Sequence, residues 1–91
     1  MNKTQVQILI CSVKLEMKAS QKMYDDQGED EFLDNVKNYQ EILTILKEGK
    51  EKMTSVQVQM LVDLVELKIE VHEEQEIIKN YQEILTILER M

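Results

Sequence analysis

The chain has no proline and no tryptophan, and it contains only two glycines, one cysteine, one phenylalanine and one histidine. Each scarcity removes a class of explanation. With no proline, and glycine confined to Gly28 and Gly49, few positions can break an element or form a tight turn. A single cysteine, Cys11, permits neither an internal disulfide nor a cysteine zinc cage, which fits a reducing, cytoplasmic setting. One histidine and no glycine-rich phosphate loop leave no set of matched catalytic groups, so the expectation is a protein that is not an enzyme and needs no cofactor. No apolar run approaches the roughly 20 residues that span a bilayer. The apolar stretch Ile8 to Ile10 behind Lys3 follows the polar Gln7, and Ile10 is too bulky for a signal cleavage site, so no leader is read there.

What is present is 43% apolar and 32% charged in 91 residues, a helix-rich composition too apolar for a disordered chain. So short a chain buries only about two-thirds of its unfolded surface, which favours assembly. The net charge of −7 is repelled by nucleic acid and by anionic membranes, so neither is expected as a direct partner. A basic protein is compatible with it.

Ten residues occur twice, letter for letter: Lys37 to Leu46 returns as Lys79 to Leu88, at an offset of 42. Further forward, Val6-Gln7-Ile8-Leu9-Ile10 matches Val58-Gln59-Met60-Leu61-Val62 at an offset of 52, and Val13, Leu15 and Met17 match Val65, Leu67 and Ile69. The chain is therefore one domain made of two repeats, about 4–48 and 54–91. The difference between the offsets places a ten-residue insertion at about 23–32, expected to form an acidic loop.

The back segments carry a helical stripe. Ile78, Tyr81, Leu85 and Leu88 are spaced like Val36, Tyr39, Leu43 and Leu46, with Gly49 and Lys47, Lys50 and Lys52 as helix-ending signals. The front segments are ambiguous. Val65-Glu66-Leu67-Lys68-Ile69-Glu70-Val71 alternates like a strand, and an α+β fold with residues 4–18 and 55–72 as paired strands is the alternative. A helix accounts for the phase change at Val62 to Val65 without a bulge. It lines up Val58, Val62, Val65 and Ile69 on one seam and Met60, Leu64, Leu67 and Val71 on another, with Gln59, Asp63, Glu66 and Glu70 between them. Thr4 with Gln7, and Thr54 with Gln57, have capping-box spacing. The expected fold is all-α, with helices at roughly 4–22 and 31–48 and helical structure through 54–90. The second repeat has no glycine or proline after Ser55, so it can run as one helix of about 54 Å. A turn at His72 to Gln75 is the other option, though these are poor turn residues.

No motif carries strong chemistry. His72 sits among Glu73, Glu74 and Glu76, but Ile69 occupies the position where a di-iron Glu-x-x-His pair needs its carboxylate. Asp25, Asp26, Glu29, Asp30, Glu31 and Asp34 crowd around Gly28, yet a calcium loop with Gly28 at its sixth position would begin at Met23, which has no carboxylate. Asp30 is a candidate cap for the next helix. Cys11, aligned with Asp63, has no basic neighbour in sequence to activate it. Two interaction surfaces remain. The first is self-association through Val58, Met60, Val62, Leu64, Val65, Leu67, Ile69, Val71, Ile78, Tyr81, Leu85 and Leu88, giving a homodimer or, as the larger alternative, a tetramer, because a helix apolar on two faces must be covered on both. The second is an acidic ridge of Asp63, Glu66, Glu70, Glu73 and Glu74 that faces a partner. The expected function is a non-enzymatic helical interaction module, a self-associating regulator or adaptor with an unidentified protein partner. The alternative is an acidic mimic of nucleic acid that inhibits a basic protein.

Overall fold

A computed structural model of the chain describes residues 1–49 and 53–90. These form four helices and no strand: α1 (Lys3–Gln27), α2 (Asp30–Glu48), α3 (Ser55–Val71) and α4 (Gln75–Glu89). Helices α1 and α2 pack as one hairpin and α3 and α4 as a second, so the fold is all-α and each repeat is one helix pair. The assembly measures 37 × 32 × 18 Å, and its thin dimension fits two layers of helices packed about 8–10 Å apart.

The hairpins exchange contacts reciprocally. α1 touches α4, and α3 touches α2. Equivalent residues take equivalent places in the shared core: Leu9 and Leu61, Val13 and Val65, and Ile42 and Ile84 are all fully buried. The two repeats are therefore related by an approximate internal two-fold axis, and each front helix lies against the back helix of the other repeat.

The buried face of α3 is Gln57, Leu61, Leu64 and Val65. Gln57 and Leu61 lie between the two expected seams. The seams are the flanks of one broad apolar face, whose centre is disguised by the polar name of Gln57.

Three sequence expectations are corrected. The second repeat is not one rod but a hairpin, broken within the His72 to Gln75 stretch that was the other option. α3 stops at Val71, His72 is extended at φ −86° and ψ 144°, and α4 restarts after Glu74. No special turn residue causes this break. Folding back buries Leu61, Leu64, Val65, Tyr81, Ile84 and Leu88 in one core, which outweighs the few hydrogen bonds a straight helix would keep. The insertion at 23–32 is not a loop. It lengthens both arms of the first hairpin, giving α1 25 residues against 17 in α3, and α2 19 against 15 in α4. Only Gly28 and Glu29 turn the chain, with Gly28 at φ +69° donating its N–H to the Tyr24 carbonyl at 2.7 Å. Asp30 does not cap α2. Glu29 holds the cap position without a side-chain bond, and Asp30 is the first helical residue.

The end of α2 matches expectation. Gly49 adopts φ +66°, its N–H reaches the Ile45 carbonyl at 2.7 Å, and Lys47 lies in the last turn. Lys50 and Lys52, also singled out from the sequence, lie outside the described residues, as does Met91.

Candidate interaction surfaces and clefts

The starts of the two front helices are built alike. Thr54 and Gln57 form the expected capping box, with Gln57 N–H donating to Thr54 Oγ1 at 3.2 Å and Thr54 N–H to Gln57 Oε1 at 3.0 Å. In the first repeat the box is Asn2 with Gln5, not Thr4 with Gln7. Gln5 N–H donates to Asn2 Oδ1 at 2.8 Å, and Asn2 N–H to Gln5 Oε1 at 3.2 Å. Thr4 is already inside the helix. The front offset of 52 pairs Asn2 with Thr54 and was the available signal.

Each box glutamine also reaches across to the other repeat. Gln5 Nε2 donates to Glu83 Oε2 at 2.6 Å, and Gln57 Nε2 donates to Glu41 Oε2 at 2.6 Å. Glu41 and Glu83 are the same position of the repeated decamer. Both glutamines are buried, at 4% and 2% exposed. Each spends its amide oxygen on its own helix cap and its amide N–H on the opposite hairpin, so helix initiation and docking of the repeats share one side chain. Among the described residues no buried side-chain nitrogen or oxygen lacks a partner.

The residues expected to drive self-association divide into three groups. Leu64, Val65, Tyr81 and Leu88 are buried in the chain's own core. Val58, Met60, Val62, Ile69, Ile78 and Leu85 are half-buried at its edge. Leu67 and Val71 face outward, 50% and 62% exposed, and Val56 joins them at 60%. With Met60 they form a strip along the outer face of α3. All five members of the acidic ridge, Asp63, Glu66, Glu70, Glu73 and Glu74, are exposed, and the first three flank that strip.

Among the described residues, two clefts at equivalent positions of the repeats lie where the hairpins meet. The larger, about 640 Å³, runs between α1 and α4, and Lys68 and His72 also line it. Ile8, Cys11, Ser12 and Leu15 supply its α1 wall, Ile77 and Tyr81 its α4 wall, and Lys3, Thr4 and Gln7 its rim. Ser12 Oγ donates to the Ile8 carbonyl at 3.0 Å, which leaves it to accept the Tyr81 hydroxyl at 2.7 Å. The His72 ring stacks on Tyr81 with centroids 5.6 Å apart. His72 is thus part of a cleft wall. Cys11 is exposed in the same wall, opposite residues far away in sequence.

The smaller cleft, about 270 Å³, lies between α3 and α2 and is lined by Met60, Asp63, Leu64 and Leu67 with Asn35, Tyr39 and Glu16. Burial pushes the Tyr39 phenol above its ordinary 10.0, and the carboxylates of Glu16 and Asp63 add to the rise. Among the described residues no three His, Cys, Asp or Glu side chains converge into a metal-holding group. No described helix is long and apolar enough to cross a membrane. Comparison with known protein families, with curated proteins and with solved structures finds no match.

Proposed function

We propose that the protein is a non-enzymatic helical interaction module that pairs with a second copy of itself through the outer face of α3. The observation that supports this reading is the strip of exposed Val56, Leu67 and Val71 with half-buried Met60. Its spacing is palindromic: four residues, then seven, then four. Two antiparallel α3 helices related by a two-fold axis would set Val56 against Val71 of the partner subunit and Met60 against Leu67 of the partner subunit. Every apolar residue of the strip then meets another, which is the self-complementarity an isologous interface requires. The strip extends about 22 Å along the helix at 1.5 Å per residue. Asp63 falls beside the axis, where two copies would bring like charges together, so the pairing is weakened by its own ridge. A regulator or adaptor would use that weakness to be released by a competing partner.

Sedimentation equilibrium tests the reading. The protein should run as a dimer of 10.8 kDa chains, tighten as salt screens the ridge, and become a folded monomer on Leu67→Asp. A monomer at about 100 μM, well above a micromolar Kd, would refute it.

The acidic ridge supports a second reading, an inhibitor that presents carboxylates to a basic groove in place of phosphates. Its salt dependence has the opposite sign: binding to the basic partner weakens as salt rises, and reversing Glu66 and Glu70 to lysine abolishes it.

A further inference from the structure

The internal two-fold axis makes the two clefts equivalent positions of one duplicated unit, and their differences are informative. Tyr81 and Tyr39 correspond, as do Leu15 and Leu67. Elsewhere the residues part ways. Ser12 stands where the other cleft has the bulkier Leu64, and the cleft with serine is the larger of the two. Ile77 replaces Asn35 and Cys11 replaces Asp63, which strips polar groups from the larger cleft. Lys68 replaces Glu16, which reverses the charge at that position. Lys3 adds to that sign, and none of the described residues lining the larger cleft is a carboxylate, although the chain as a whole carries −7. The result is a concave apolar space of about 640 Å³, within the range of small-molecule sites, with basic groups at its edge.

We propose that the α1–α4 cleft is a binding site for a small apolar anion, a molecule with an aliphatic or aromatic body and a carboxylate or similar head. The body lies against Ile8, Leu15 and Ile77, beside the small side chain of Ser12. The head pairs with Lys68, and Lys3 and His72 lie along the same cleft. A concave wall with this lining does not suit a flat partner surface, and the basic edge selects against neutral and cationic amphiphiles. The site is separate from the outer strip of α3, so its occupancy does not depend on the pairing proposed above.

The test uses the full chain with decanoate as the probe and decanol as its neutral counterpart, followed by amide chemical shifts and calorimetry. Decanoate should shift the amides of Cys11, Ser12, Leu15, Lys68 and Ile77, and decanol should bind at least about tenfold more weakly, since a charge-assisted hydrogen bond to half-buried Lys68 contributes about a decade. Two variants carry the duplicate's own residues into this cleft. Lys68→Glu should reduce decanoate affinity at least about tenfold while leaving decanol unchanged. Ser12→Leu should abolish both; if that variant fails to fold, Leu15→Glu at the exposed rim serves instead and should abolish decanoate binding. Shifts confined to Val56, Leu67 and Val71, equal affinities for decanoate and decanol, or no shifts at about 1 mM decanoate would each overturn the proposal.

Discussion

The paired glutamine latches make a quantitative claim. Gln5→Ala removes a charge-assisted hydrogen bond to Glu83 at 2.6 Å, one half of the α1 capping box, and part of a side chain that is 4% exposed. The bond to a charged acceptor is worth about 1.5–3 kcal/mol in general, and the exposure of Glu83 to water argues for the lower end. The cap adds about 0.5 kcal/mol and the lost packing a similar amount. The sum is about 2–3 kcal/mol, a large fraction of the roughly 5–14 kcal/mol available to a chain of this length. It corresponds to a fall in Tm of about 10–20 °C. Chemical denaturation of Gln5→Ala, Glu83→Ala and the double variant isolates the pair. Glu83→Ala alone leaves a buried amide N–H without a partner, so the cycle should show a coupling of about 1–1.5 kcal/mol. The Gln57–Glu41 pair repeats the 2.6 Å bond but should couple somewhat less, because Gln57 Nε2 also reaches Asn38 Oδ1 at 3.5 Å. A coupling below about 0.4 kcal/mol, the level at which independent sites already add, would refute the idea that these side chains hold the hairpins together.

Other perturbations separate surface from core. Val65→Asp, at a fully buried position, should prevent folding, whereas Leu67→Asp should leave the circular dichroism spectrum unchanged and affect only the sedimentation behaviour. Gly28→Ala should cost about 1 kcal/mol in thermal unfolding, with Gly28→Asn costing less, because nothing lies near the missing Cβ and the whole penalty is the left-handed backbone at φ +69°. Tyr39 has its phenol pKa raised in the fold, so its contribution to stability is present below 10.0 and is lost as the pH climbs past 10.0 toward the folded value. Denaturation midpoints measured across that range should decline for the natural chain, and Tyr39→Phe should flatten that part of the decline.

The helical class and the two-unit organisation were legible because the duplication and the stripe around Tyr39 and Tyr81 are written directly in the residues. The break at His72 to Glu74 was legible only as the second option, a turn set beside the single long helix. It has no glycine or proline, and it arises only because two half-covered helices bury more together than end to end. The insertion misled for the opposite reason. Its carboxylates look like a loop, yet Asp25, Asp26, Asp30 and Glu31 all sit on helices, and Gly28 alone supplies the left-handed step. Gln5 and Gln57 were hidden by their polarity. A buried glutamine is recognisable from sequence only when its partner is known, and here the partners lie 78 and 16 residues away. The difference between the clefts was visible as mismatched repeat positions, but nothing in one dimension shows that Lys68 and Ile8 line a common space.

The reciprocal latches have a consequence for how stability responds to dilution. Two separate hairpins of this design would have to find each other in solution, and their folding would depend on protein concentration as a dimer's does. Joining them in one chain replaces that encounter with a local concentration on the order of millimolar, fixed by the connection rather than by the cell. The fold of the single chain is therefore insensitive to its own abundance. A lone second hairpin, in which Gln57 would have to borrow Glu83 from another copy, would melt at a temperature that rises with concentration.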